Sequence, residues 1–379
     1  MQDYDIAIVG AGMAGASAGF FMARDARVVL LEMESQPGYH TTGRSAALYS
    51  EAYGNGAIRS LTSGGRSFYE TPPDGFAEHA LLTPRGALFV GRPDQTAALD
   101  RTAEEASANV DSIRRLDAAA TRALVPVLRP DYISGGVHEP DAMDIDVHAL
   151  HQGFLRGFRA AGGEVRTEAE VTGLAHDGAA WRIETRAGAV RAPVLVNAAG
   201  AWCDTVAGLA GIAPIGLVPK RRTAILFDPP DGVDSDAWPL CVDVDEQFYF
   251  KPDAGKLMGS PADETPMQPC DVQPDELDIA LAVDRIQTAA DLPVRRIEHR
   301  WAGLRSFVAD KTPVVGFDGM AEGFFWLAGQ GGYGIQTAPS MGRVSAALVA
   351  GREVPADLQD FGVSAAALSP ARLMRTSKG

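Results

Sequence analysis

Three glycines and one glutamate carry the clearest chemical signal in the chain. Gly10, Gly12 and Gly15 stand in the run Gly10-Ala11-Gly12-Met13-Ala14-Gly15, and Glu32, with Met33 beside it, follows roughly twenty residues on. Glycine at the first position permits a tight turn, at the second it lets a pyrophosphate touch the backbone, and at the third it lets a helix lie close on a sheet. Glu32 is placed to accept hydrogen bonds from ribose hydroxyls. The elements that must hold these residues are short. Residues 5–9 are β-branched and end at Gly10, which makes a buried strand; residues 13–23 read as a helix, and 28–31 as a second strand. The helix offers free N–H groups and the positive end of its dipole to phosphates. A bare GxGxxG is equally well an ordinary turn, but strand, turn, helix, strand and terminal acid together form a dinucleotide-binding unit.

The 379 residues, 46% hydrophobic and 22% charged, suffice for two domains and a large core. A net charge of −15 and a pI of 4.9 argue against a nucleic-acid partner, which calls for a basic face. No basic leader precedes the first strand and no apolar run reaches the length of a membrane span, so the expectation is a cytoplasmic protein without an integral membrane segment. Cys203, Cys241 and Cys270 lack CxxC spacing and read as reduced thiols.

Further along, the loop over 35–47 offers hydroxyls and backbone donors suited to a polyphosphate or a flavin edge, and reads equally well as a connector. Residues 55–70 read as a helix, 81–90 as a strand interrupted at Pro84 and Gly86, and 94–123 as one charged, alanine-rich helical region. A strand over 134–138 leads to a helix capped by Asp144 or Asp146 and stopped at Gly162-Gly163. His148 and His151 lie one turn apart on it, without HExxH or a third ligand, and read as packing or surface residues, so no metal site is expected. Residues 164–171, 181–185 and 190–196 are strand-like. The last runs into Asn197-Ala198-Ala199-Gly200-Ala201-Trp202, where small residues bring the backbone close to something flat or phosphorylated. A second excursion starts over 217–227, with strands at 247–251 and 256–260 and a helix at 274–290. In the final third a strand ends in glycines, and a helix begins where it stops, with its positive end favouring a ligand that becomes anionic, as a reduced flavin does.

Five segments together resemble the FAD-dependent D-amino acid oxidase superfamily, and within it the D-arginine dehydrogenase-like D-amino acid dehydrogenases: Gly38-Tyr39-His40-Thr41-Thr42-Gly43-Arg44-Ser45-Ala46-Ala47, Asn197 to Asp204, Pro219-Lys220-Arg221-Arg222, Trp301 to Phe307, and Gly331-Gly332-Tyr333-Gly334-Ile335-Gln336-Thr337. The resemblance spans nearly the whole chain. It implies non-covalent FAD and an α/β architecture, in which a Rossmann-like, glutathione-reductase-type FAD domain (1–78, 144–213 and 300–379) is interleaved with a mainly antiparallel substrate domain (79–143 and 214–299). It also implies FAD contacts at Gly10, Gly12, Ala14, Gly15, Glu32 and Met33, through Thr41, Thr42, Gly43, Arg44, Ser45 and Ala46, and at Val171, Ala199, Gly200, Trp202 and Gly303. The run from Gly331 to Thr337 completes them.

The activity implied is oxidation of a small-molecule D-amino acid, with a hydride passing from its α-carbon to flavin N5 and the imino acid hydrolysing to a 2-oxo acid and ammonia. The electrons then go to a quinone-type acceptor or to oxygen. A guanidinium grips a carboxylate with two parallel N–H bonds, and the resemblance assigns that work to Arg305 and Arg222. Strand alternation turns Tyr249 away from Phe248 and Phe250 so that its hydroxyl enters the cavity. Tyr53 matches a position that closes the site, and the backbones of Gly332 and Gln336 are expected to meet the substrate amine or the flavin. The arginine enzyme carries polar groups where this chain has Ala87 and Leu48. With Leu240 and Val242 in the same wall, uncharged D-amino acids are expected over D-arginine, because a buried cation without a partner is costly. Glycine, N-methylated amino acids or D-hydroxyproline are alternative substrates, and D-arginine remains another.

Overall fold

The strand Ile6–Val9 lies in the middle of a six-stranded sheet ordered Glu164–Arg166, Val28–Leu31, Ile6–Val9, Val194–Asn197, Phe324–Ala328, Val314–Phe317. All neighbours are parallel except the last pair. The computed structural model describes residues 1–374. Ile6–Val9, Val28–Leu31 and Phe324–Ala328 are buried throughout, which suits apolar runs without alternation in a sheet covered on both faces. The helix Met13–Met22 packs against the helices Val147–Ala160 and Ala338–Val349. Close approach is built in, since a Cβ on Gly15 would sit 1.9 Å from the Gly10 carbonyl oxygen. Phe20, Phe68, Phe76 and Phe154 interlock beneath this helix, mostly edge to face.

A nine-stranded sheet stands beside it, ordered Thr265–Pro266, Val218–Phe227, Lys256–Ser260, Tyr249–Asp253, Leu240–Asp243, Ala87–Gly91, Gly135–Glu139, Arg114–Asp117, with His299–Phe307 also paired to Val218–Phe227. Its pairs are antiparallel apart from Leu240–Asp243 with Ala87–Gly91. Register then defines one face. Tyr249 lies opposite Val242 and Ser260, and Arg222 opposite Gly303, so these side chains share a surface with Arg305, which lies opposite Lys220. A four-stranded sheet (Gln2–Asp3, Val190–Ala192, Trp181–Thr185, Val171–His176) and a three-stranded one (Leu48–Tyr49, Met143–Ile145, Leu82–Pro84) complete the fold. This α/β arrangement is the one expected. Among the described residues no helix is long and apolar enough to cross a membrane.

Several expected elements differ. The region 94–123 is not one helix but two, Thr96–Ser107 and Ala118–Leu124, separated by the edge strand Arg114–Asp117. Its alanine-rich composition conceals the break, and Asp117 caps the second helix by accepting from Ala120 N at 2.8 Å. The strand expected over 190–196 divides at Pro193, whose ring removes a ladder donor, and its halves join different sheets. The strand over 164–171 breaks after Arg166, where Glu168 takes a φ of 53°. Asp146, not Asp144, caps the helix Val147–Ala160, accepting from Ala149 N at 2.8 Å. The helix Ala338–Val349 does not begin where the strand Phe324–Ala328 stops, because the turns of 329–337 intervene.

Candidate active site

One continuous cavity runs from the glycine turn to the strand end at Arg305. At the turn, Gly10 has a φ of 97°, and a Cβ there would lie 2.6 Å from the Ala198 carbonyl oxygen, so only glycine fits. Glu32 is buried, and its two oxygens accept from Ala11 N at 2.9 Å and Glu34 N at 3.0 Å. Burial raises its pKa above the ordinary carboxylate value, against the pull of those two N–H groups. Each oxygen keeps a second lone pair for a ribose hydroxyl.

The loop over 41–46 forms the next part of the wall. Thr42 Oγ1 accepts from Met13 N at 2.9 Å, and Thr41 Oγ1 donates to the Leu304 carbonyl at 2.8 Å. Arg44 donates to the carbonyls of Val272 (3.0 Å) and Ala302 (3.1 Å) and pairs with Asp271. Its guanidinium therefore ties the loop to the strand His299–Phe307 and to the segment around Val272 rather than reaching for a phosphate. Ser45, Ala46, Val171, Ala199, Gly200, Trp202 and Gly303 line the same cavity, as do Gly12, Ala14 and Met33. The far end is closed by Gly331, Gly332, Gly334 and Ile335.

Arg305, Arg222 and Tyr249 come together at that far end. Phe248 and Phe250 stack at 6.4 Å in the core behind the strand, which leaves Tyr249 facing the cavity. Arg222 is buried, with its guanidinium carbon 6.0 Å from the Tyr249 ring; its Nε donates to the Asp263 carbonyl at 2.9 Å, and its Nη2 lies 3.5 Å from Glu264 without a hydrogen-bond partner. Arg305 differs: it faces the cavity, and no carboxylate of the described residues forms an ion pair with it. Tyr53 is outside the cavity wall, yet its hydroxyl feels the Arg305 charge and its ring lies 4.9 Å from Tyr333. Burial raises the Tyr53 pKa, with the Arg305 charge opposing, so the phenol stays protonated at neutral pH.

Other expected residues lie elsewhere. Gly15, Gly43, Tyr333, Gln336 and Thr337 are outside the cavity wall. The Gln336 side chain is buried and donates to Thr62 Oγ1 at 2.9 Å, joining the glycine-rich turn to the helix Gly56–Glu70. Leu48, Ala87, Leu240 and Val242 do not line the cavity either. Ala87 pairs with Glu139 and Leu240 within the sheet, while Val242 and Leu240 pack around Tyr249. Sequence reasoning missed Ala224, Ser306 and Gln330 in the wall. Ala224 was legible, since it lies two residues past Arg222 on the same strand.

Residues 5–348 match the family described as FAD dependent oxidoreductase, the DAO family. The chain belongs to it. FAD is therefore the cofactor of this oxidoreductase, and the bare glycine turn and the buried Glu32 fit its adenosine diphosphate half. Among relatives of this DAO-family chain, an uncharacterized oxidoreductase, YurR of Bacillus subtilis, is 25% identical over 378 residues, covering 93% of this chain and 97% of its own. The fold is similar to L-proline dehydrogenase from P. horikoshii (TM-score 0.84, 18% identity, 99% of both chains) and to glycine oxidase from Geobacillus kaustophilus (TM-score 0.83, 20% identity, 95% of this chain and 98% of that one).

Proposed function

We propose that this protein oxidises a D-amino acid to an imino acid, which water hydrolyses to a 2-oxo acid and ammonia. The observation that carries the reading is Arg305, a half-buried guanidinium that faces the cavity beside Tyr249, feels the charge of Glu246 and forms no ion pair with a carboxylate among the described residues. A cation withdrawn from water is costly unless an anion joins it, and a substrate carboxylate supplies that anion with bidentate geometry. Arg222 lines the same end of the cavity and adds a second positive charge, although its guanidinium is already held by the Asp263 carbonyl and faces Glu264. Tyr249 and Tyr53 supply hydroxyls, and the backbone at Gly332 borders the substrate amine. FAD, when bound, supplies the two-electron acceptor. The chain's own residues hold the carboxylate, orient the α-carbon and exclude water.

We take FAD to be held without a covalent link. We assign 1–78, 144–213 and 300–379 to the FAD domain and 79–143 with 214–299 to the substrate domain. We read the enzyme as a cytoplasmic dehydrogenase whose electrons go to a quinone-type acceptor, with oxygen as the alternative. Against a cationic side chain, the proposal draws support from Asp144, whose carboxylate is already held by Lys251 and Arg85. Uncharged D-amino acids therefore stand ahead of D-arginine.

A second reading, oxidation of glycine or of an N-substituted amino acid, is suggested by the similarity in fold to glycine oxidase and L-proline dehydrogenase. Anaerobic reduction of the yellow protein by D-, L- and N-methyl amino acids separates the two. Faster bleaching by primary D-amino acids than by every secondary amine is the expected result, and the reverse order overturns the first reading.

A further inference from the structure

The face of the substrate sheet that carries Tyr249 holds a second cation that the reaction proposed above does not use. Side chains alternate along a strand, so Lys251 emerges on the Tyr249 side, roughly 7 Å further along and one step beyond the part of the wall that the cavity reaches. Its cross-strand neighbour is Met258, and the adjoining strand contributes Leu240 and Val242, so the setting is apolar. Lys251 is only 7% exposed. An ammonium has three donors, yet among the described residues Lys251 makes one hydrogen bond, to Asp144 Oδ1 at 2.5 Å. The other oxygen of Asp144 accepts from Arg85 Nε at 2.6 Å. Arg85 Nη1 is taken up by the carbonyls of Asp236 and Trp238, at 2.6 and 3.0 Å. Two cations thus share one carboxylate, and two of the three ammonium donors of Lys251 have no hydrogen-bond partner among the described residues. A purely structural pair would need one cation, because each added buried charge opposes folding unless an anion joins it.

We propose that Lys251 receives a second anionic group of the substrate, so that the amino acid oxidised carries an acidic side chain, as aspartate and glutamate do. The inference rests on the D-amino acid reading: with the α-carboxylate at Arg305 and Tyr249, the side chain lies along the sheet past Val242 and Leu240 towards Lys251. It amends the expectation drawn from Ala87 and Leu48. Their lack of charge explains why a cationic side chain is refused, without requiring a neutral one.

The test compares acids with their amides, D-glutamate with D-glutamine and D-aspartate with D-asparagine, by anaerobic flavin reduction in the purified holoenzyme, in Lys251→Gln and in Lys251→Arg. At least one acid is expected to exceed its amide by ~10-fold or more in reduction efficiency. Lys251→Gln should cut that ratio by ~10-fold or more, and Lys251→Arg should largely keep it. Amides equal to or better than acids in the unaltered enzyme overturn the proposal, whether or not the variants fold. A ratio unchanged in folded, FAD-loaded Lys251→Gln overturns it as well. If neutral D-amino acids bleach the flavin and the acids do not, this inference alone falls; if no D-amino acid does, the D-amino acid reading falls and takes it along.

Discussion

The Arg305 guanidinium rests directly on the backbone of Gly332. A Cβ built on that glycine would lie 2.9 Å from Cζ and 2.9 Å from Nη1 of Arg305. The conflict is with the movable end of a side chain, and the φ of Gly332 is not in the left-handed region, so the backbone itself accepts alanine. Gly332→Ala should therefore push the guanidinium aside without unfolding the chain. KM for a good amino acid should rise by ~10-fold or more while the melting temperature and FAD content stay close to the parent's. An unchanged KM would mean that Arg305 does not hold the substrate.

Removing the guanidinium altogether should have a larger effect. Arg305→Ala is expected to lower kcat/KM by at least ~100-fold, about 2.7 kcal/mol of transition-state binding. Arg305→Lys keeps the charge but loses the planar fork, and should fall between the two. Steady-state rates on FAD-saturated protein decide it, and a loss of only twofold in Arg305→Ala would remove the assignment.

Glu32 acts on the turn as well as on the ribose. Its carboxylate accepts from Ala11 N and Glu34 N, which clamps the glycine turn to the end of the second strand. Glu32→Ala should weaken FAD binding by ~10-fold or more, about 1.4 kcal/mol, and leave the order of substrate preference unchanged. Equilibrium dialysis of FAD against both proteins measures the first part. Unaltered affinity would mean that the acid does not contact the cofactor.

These contrasts also explain what the sequence made legible. The cofactor end rests on short-range signals: Gly10, Gly12 and Glu32 belong to one strand–helix–strand unit, and each property required of them is local. At the substrate end the deciding contacts are distant, as in Lys251 with Asp144 or Arg44 with the Val272 carbonyl. Such pairs follow from sheet register and loop placement, which composition and spacing do not encode. Gln336 illustrates the limit. The glycines beside it point its backbone to a ligand, but nothing in the spacing foretells that its side-chain amide donates to Thr62 of the helix Gly56–Glu70. Tyr249 was readable because alternation between two core phenylalanines leaves it one direction to face.

Acid acts on the fold through the histidine beneath the cofactor turn. His151 is buried, and its Nε2 hydrogen-bonds the Ala11 carbonyl at 2.8 Å, which couples the helix Val147–Ala160 to the glycine turn. Burial lowers its pKa below the ordinary 6.5; the bond to Ala11 opposes that shift, and the charges of His148 and Arg159 reinforce it. The sign follows from linkage. The folded state holds the ring neutral in a range where the unfolded chain has already bound a proton, so the unfolded state gains protons first as pH falls. Stability from this site is therefore fully present above about pH 6.5 and is lost as pH drops through the lower folded value. The parent protein should lose melting temperature and release FAD more readily between pH 7.5 and 5.5, and His151→Gln, which has no titrating ring, should lose less over the same interval. The two melting temperatures should converge towards acid. A gap between parent and variant that stays constant from pH 7.5 to 5.5 would show that His151 does not carry the acid sensitivity.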